Sequence, residues 1–155
     1  MFAGCAAPPN EAALEAEIEA VLNLYVQSVN EADYDLLRDI WVPSDDISYV
    51  SPFDRLQSSE QLEGFWQVFI TDNFSERDLR LSDIALHGAG NEAAWAVFDW
   101  DFDATTSDGQ PFSSTGWETQ FYQLTDQGWR IEHIHYSMPL QPEDESVSSE
   151  EPTGQ

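Results

Sequence analysis

Gly128-Trp129-Arg130-Ile131-Glu132-His133-Ile134-His135-Tyr136-Ser137-Met138-Pro139 reads as one strand, and the rest of the fold can be assembled outward from it. Side chains two apart on a strand point the same way. Unbroken alternation therefore puts Trp129, Ile131, His133, His135 and Ser137 on one face and Arg130, Glu132, Ile134, Tyr136 and Met138 on the other. Two of the three histidines in the chain then sit beside apolar residues, which suggests a pocket wall. The histidine face is expected to look into a helix-covered cavity, leaving Arg130 and Glu132 outside.

Working backwards, period-2 runs predict strands over residues 111–124, 92–103 and 77–87. Asp126-Gln127-Gly128, Ser107-Asp108-Gly109-Gln110 and Gly88-Ala89-Gly90-Asn91 supply the turns, so the four strands make an antiparallel meander. Each strand offers two faces. In 92–103, Ala94, Ala96, Phe98, Trp100 and Phe102 oppose Trp95, Val97, Asp99, Asp101 and Asp103. In 112–124, Trp117, Thr119, Phe121 and Gln123 oppose Glu118, Gln120, Tyr122 and Leu124. Apolar groups on both faces suggest that helices cover one face and a second subunit covers the other.

The first part of the chain is helical in pattern. Ala12, Ile18, Leu22, Tyr25, Val26 and Val29 recur near a 3.6 period, predicting a helix over 11–30 with Asn10 as N-cap. A short helix over 33–41 has Asp33 near its cap and is ended by Pro43. Trp41 is expected to pack it against the sheet. Residues 46–50 read as a short strand, Ser51-Pro52-Phe53-Asp54 as a turn, and 59–69 as a third helix. Gly64 inside that helix costs about 1 kcal/mol relative to alanine, which predicts close packing there. Helices followed by a meander define an α+β domain. It spans 11–139, between a disordered N-terminal segment at 1–10 and a disordered acidic tail at 140–155.

The chain has 155 residues, enough for one domain with a real core. Its 30 acidic and 5 basic residues give a formal charge of −25, and every basic residue is an arginine. Such a surface repels phosphate backbones and anionic lipid, so nucleic acid is not an expected partner. Its simplest consequence is solubility, including in a salty setting. The single cysteine, Cys5, precludes an intrachain disulfide. Phe2-Ala3-Gly4-Cys5 resembles the end of a bacterial lipoprotein signal, without the apolar segment that should precede it. The location is therefore either cytoplasmic or, with lipid on Cys5, a membrane-tethered lipoprotein facing the periplasm or exterior. A membrane partner is expected only in the second case.

The first-helix segment Tyr25-Val26-Gln27-Ser28-Val29-Asn30-Glu31-Ala32-Asp33, then Asp35-Leu36-Leu37, then Ser44-Asp45-Asp46-Ile47, together with the strand 128–137, resembles the NTF2-like superfamily, in its SnoaL-like and ketosteroid-isomerase-like branch. The likeness spans about residues 11–139. It implies a cone-shaped fold: a strongly curved, mainly antiparallel sheet wrapped by three N-terminal helices, with a cavity at the open end. It also implies a homodimer through the sheet. Known members include isomerases, polyketide cyclases, hydrolases, dehydratases and non-catalytic binding or association domains. Steroid isomerases of this superfamily pair a carboxylate base with a tyrosine and a protonated carboxylic acid. That full constellation is not matched here.

His133 and His135 are the leading catalytic candidates, because imidazole gives and takes protons near neutral pH. One ring would deprotonate a carbon acid while the other polarises a developing oxyanion. The alternative is that both simply hydrogen-bond inside a partly polar cavity. Asp99 and Asp101 join them as candidates if the sheet buries them, since an unpaired buried carboxylate has a raised pKa; the alternative is a salt bridge or a wet edge. Tyr49, Trp66, Trp100, Trp117, Thr119 and Phe121 are candidate ligand-binding residues, with core packing as the plain alternative. A metal shared by the histidines and an aspartate has only the i,i+2 spacing behind it, where three or four ligands are usual. No metal and no cofactor are expected. His87 is expected to be exposed. No nucleophile elbow, phosphate loop or dinucleotide fingerprint occurs. The resulting expectation is a cofactor-independent acid–base enzyme, an isomerase, cyclase or dehydratase, acting on a small hydrophobic carbonyl compound. The alternatives are a non-catalytic small-molecule binding domain and a dimeric association module.

Overall fold

The computed structural model describes residues 10–140. Cys5 and the acidic tail beyond Leu140 lie outside the described residues. The elements run α1 (Glu11–Glu31), α2 (Tyr34–Ile40), β1 (Ser48–Val50), β2 (Arg55–Leu56), α3 (Ser59–Trp66), a π-helical turn (Gln67–Asp72), β3 (Phe74–Ala89), β4 (Ala93–Thr106), β5 (Pro111–Thr125) and β6 (Gly128–Ser137).

Helix α1 buries Leu14, Ile18, Val21, Leu22, Tyr25, Ser28 and Val29, a single stripe at helical spacing. Its N-terminus is not capped as expected: the Asn10 side chain makes no capping hydrogen bond. Asp33 does cap α2, accepting from the Leu36 amide at 2.9 Å. Two side chains pin α1 to the sheet. Trp129 Nε1 donates to Glu17 Oε2 at 2.8 Å, and Asn30 Oδ1 accepts from the Leu79 amide at 2.6 Å. The second bond occupies a main-chain group on the edge strand β3 that would otherwise face water.

The four long strands form the expected meander, and two short ones extend it in the order β2-β1-β6-β5-β4-β3. β1 joins β6 in parallel, pairing Ser48 with His133 and Val50 with His135, so the sheet is mixed. The expected cone with its strongly curved sheet is not what forms. The sheet is open, neither closed nor strongly curled, with β2 and β3 as separate edges. One edge strand has two residues and the other sixteen, so they offer no matching ladder through which the sheet could close.

The alternation in the closing strand is also interrupted. Phe121 pairs with His133, but the next residue, Tyr122, pairs with Ile131. Glu132 is thus the extra residue of a β-bulge, and a one-residue slip sends every later side chain to the opposite face. Trp129 and Ile131 point into the core, as expected. Beyond the bulge it is Ile134, Tyr136 and Met138 that face the helices, while His133 and His135 face away.

No such interruption occurs between β4 and β5, whose pairing runs without a shift from Ala93↔Gln123 to Thr105↔Pro111. Cross-strand partners share a face. Phe98, Ala96 and Ala94 therefore bring their partners Glu118, Gln120 and Tyr122 inward with them. Gly116 has a steric role: a Cβ there would lie 2.0 Å from the Ser137 carbonyl oxygen and 2.7 Å from the Trp100 ring. Its bare backbone lets the Trp100 indole and the end of β6 lie against β5. Gly64 behaves otherwise than expected. A Cβ at that position would meet nothing within 4 Å, so no close packing explains it.

Candidate active site

The helices and the inner sheet face enclose a cavity of about 310 Å³, within the lower part of the range that holds small organic ligands. Strand β5 contributes Glu118, α1 contributes Tyr25, β1 contributes Tyr49, and the post-bulge part of β6 contributes Tyr136. Helix α3 and the π-helical turn add Phe65, Trp66, Phe69 and Ile70. The wider π turn re-phases the helix so that both pairs reach the same space.

Among the described residues, Glu118 carries the only carboxyl on the cavity wall, and no Arg, Lys or His lines it. Its carboxylate is held from two sides. Gln120 Nε2 donates to Oε1 at 2.7 Å, and the Tyr25 hydroxyl donates to Oε2 at 3.2 Å. The Tyr122 hydroxyl in turn donates to Gln120 Oε1 at 2.6 Å, which fixes the amide orientation needed to serve Glu118. Positions 118, 120 and 122 therefore form a relay along one strand face, with all three side chains buried.

Burial pushes the Glu118 carboxyl up to about 7, against the lowering effect of the hydrogen bonds from Gln120 and Tyr25. Desolvation opposes the charged form and here outweighs two donors. Burial also drives the Tyr25 and Tyr49 phenols well above their ordinary value, with Glu118 adding to the rise in both. They remain protonated hydroxyls at neutral pH. The indole N–H groups of Trp41, Trp66 and Trp100 are buried without a partner.

The residues singled out from the sequence divide between the two faces. Tyr49, Trp66 and Trp100 line the cavity, and Trp41 joins them. Trp117, Thr119 and Phe121 do not: they lie on the outer face, where Trp117 and Phe121 are 49% and 45% exposed. Asp99 pairs with Trp117 and Asp101 with Thr115 on that same face, so neither aspartate is the buried carboxylate the expectation required. His133 and His135 are outside as well, contrary to the expectation that they face the cavity, and the bulge at Glu132 is the reason. The His133 ring contacts Phe121 and Ser48, whose Oγ lies 2.5 Å from Nδ1. Burial, and then His135, hold it below the ordinary imidazole value. His87 is exposed and stacks on Trp95. Among the described residues, no three His, Cys, Asp or Glu side chains gather as a metal site would need.

Glu118, Gln120 and Tyr25 are the polar groups that reading the sequence alone passed over. The signal was present in register. The clean apolar face of β4 marks the inside, and counting back through the turn at 107–110 pairs Phe98 with Glu118.

The SnoaL-like domain, as a sequence family, matches residues 18–141. The chain belongs to the SnoaL-like family, within the NTF2-like superfamily. Among solved structures, an NTF2-like superfamily protein from Salmonella enterica serovar Typhimurium is 33% identical. That match has a TM-score of 0.80 and covers 88% of this chain and 99% of that one. A putative dehydratase of the NTF2-like family from Streptomyces avermitilis aligns at 13% identity and a TM-score of 0.76, over 85% of this chain and 100% of its own. A putative calcium/calmodulin dependent protein kinase II association domain from Xanthomonas campestris aligns at 20% identity and a TM-score of 0.71, over 92% and 98%. At those last two identities the likeness is one of fold, and the fold hosts both kinds of protein. No curated protein matches the chain significantly. Among the described residues, no helix is long and apolar enough to cross a membrane.

Proposed function

We propose that this SnoaL-like domain is a cofactor-independent acid–base enzyme of the isomerase, cyclase or dehydratase type. Glu118 is its proton-transfer group and a small hydrophobic carbonyl compound its substrate. One observation carries the reading: a single carboxyl, buried in an apolar cavity and brought to about 7, is divided between acid and base at neutral pH. The phenols of Tyr49 and Tyr136 on the cavity wall favour a ligand bearing an acceptor, as a carbonyl does.

In the step proposed, the Glu118 carboxylate removes a proton from the carbon beside the carbonyl. The C–H electron pair passes into the C–C bond and on to the carbonyl oxygen. The phenols of Tyr49 and Tyr136, protonated at this pH, are the donors available to that oxygen. Returning the proton to another carbon isomerises the substrate, whereas loss of hydroxide from the β-carbon, protonated as it leaves, dehydrates it. Exchange of α-hydrogens for deuterium tests the first half of either path. Glu118→Gln is expected to slow exchange above the buffer rate by at least about a hundredfold, with the far-UV spectrum unchanged. Exchange that persists in the variant contradicts the reading.

The homodimer belongs to the same proposal. Trp117 and Phe121 on the outer face, with Trp95 beside them in register, support association through the sheet. Light scattering of the purified chain decides between one subunit and two.

A further inference from the structure

Resting on the homodimer proposed above, we infer how its two sheets meet and what controls the contact: β4 of each copy lies across β6 of the other, imidazoles face aspartates between the copies, and mild acidification tightens the pair. The observation is a division of charge on one face. All three histidines of the chain project from the outer face, His133 and His135 from β6 and His87 from β3, where it pairs with Trp95. Asp99 and Asp101 project from the same face on β4. Strand β5 runs between β4 and β6 and brings Trp117, Thr119 and Phe121 to that face, with no charge among them. Among the described residues, Arg80 pairs with Asp103, but neither Asp99 nor Asp101 makes an ion pair, and no histidine does. Unpaired acids and unpaired bases on either side of an apolar strand make a face complementary to itself.

Two identical sheets packed face to face are related by a two-fold axis lying between them. An axis across the strands sets β6 against β6 and β4 against β4, like charge on like charge. An axis along β5 sets β6 of one copy over β4 of the other and brings the exposed rings of Trp117 and Phe121 to the centre. Charge therefore selects the second arrangement. In register, Val97, Thr119 and His135 form one row across the sheet, and Asp99, Trp117 and Ser137 form the next. His135 thus comes over the partner's Val97, with the partner's Asp99 as its diagonal neighbour about 7 Å along the strand.

The sign of the pH effect follows from what surrounds the rings. Within one copy, burial and then His135 hold His133 below the ordinary imidazole value, against the raising effects of Ser48 and Glu132. The flanking strands β1 and β5 bring no charged group to this face. Beyond β1, Arg55 shares the row of Val50 and His135 and adds a cation, and Arg130 lies on β6 itself. A single copy thus disfavours the charged ring, and the partner's carboxylates favour it in the dimer alone. Groups whose proton affinity rises on association take up protons as the pair forms, so the pair is tighter at lower pH. Carboxylates stay ionised to about two pH units below the imidazole range, which leaves a window in which both partners are charged.

Analytical ultracentrifugation of the full chain at about pH 8 and about pH 5.5, in physiological salt, tests this. The dimer Kd is expected to fall at least about tenfold on acidification. Replacing His133→Gln and His135→Gln together should leave the Kd at pH 8 within about twofold of the parent and abolish the tightening. Replacing Asp99→Asn and Asp101→Asn together should abolish it too, and gives the same readout if the histidine variant folds poorly. Acidification also lessens the general repulsion of a chain with a net charge of −25. His87→Gln isolates that effect: it removes a titrating ring from β3, outside the proposed pairs, and should keep the tightening. A dimer whose Kd is unchanged or higher at the lower pH, or a tightening that survives in both double variants, overturns the inference and leaves the homodimer standing. A single subunit at both pH values overturns the two together.

Discussion

The two faces of strand β5 invert the usual rule. Its inward face carries Glu118, Gln120 and Tyr122, all buried, while its outward face shows Trp117 and Phe121 to solvent. On β4, one strand away, the inward face is apolar throughout and the outward face carries Asp99, Asp101 and Asp103. Hydrophobicity decides the orientation of β4. Register with β4 decides the orientation of β5, at the cost of burying three polar side chains. That cost is offset only because the three satisfy one another in series and because Tyr25 reaches the end of the series from α1. A strand that buries its polar face and exposes its aromatic one has been shaped by something other than stability.

The comparison is broken most severely at Glu118. Apart from the loss of exchange, Glu118→Gln should alter stability in a pH-dependent way. The carboxyl is harder to ionise in the folded chain, near 7, than in the unfolded one, near 4.5. The penalty is therefore absent below 4.5, grows as pH rises to 7, and stays constant above. Urea denaturation at pH 8 should find the variant more stable than the parent by about 1–3 kcal/mol, with that gain gone at pH 4.5. A variant equally or less stable at pH 8 would mean that Glu118 is not a strained buried carboxylate.

Gly116→Ala should come next. A methyl group placed 2.0 Å from a backbone oxygen cannot be absorbed by a side-chain rotation. A loss of about 2 kcal/mol or more is expected, read as a lowered melting temperature. Retained stability would mean that the end of β6 does not lie against β5 as described.

Gln120→Leu sharpens the relay itself. It removes a donor that holds the Glu118 carboxyl down and strands the Tyr122 hydroxyl, at a cost of about 1–3 kcal/mol. The pH dependence of exchange should move to higher pH. A profile that stays put would show that Gln120 is packing rather than tuning.

The smallest effect belongs to the outer face. Replacing His133 and His135 together by alanine should leave α-hydrogen exchange within about twofold of the parent. A loss of tenfold or more would return the site to the histidines and overturn the assignment of faces.

The element order, the meander and the helical stripe of α1 were legible because each rests on a local period that many residues report together. The site was not, for two physical reasons. A bulge inserts one residue at Glu132 and reverses everything after it, so the alternation that correctly placed Trp129 and Ile131 misplaced His133 and His135. A single extra residue leaves no mark on a hydrophobic pattern when both faces carry apolar groups. On β5, weighing the apolar face of a strand against its polar face favoured Trp117 and Phe121, when the informative neighbour was Phe98 across the ladder. The curvature expected of the sheet came from resemblance alone, and the open order of the strands corrected it.

The central claim is that the β5 carboxylate is held half-ionised at neutral pH, and its titration tests that most directly. With carbon-13 in the glutamate side chains, the Glu118 carboxyl resonance can be assigned by its absence from Glu118→Gln and followed from pH 3 to 9. A midpoint near 7 is the result predicted here. A midpoint near 4.5, the ordinary value, would contradict it.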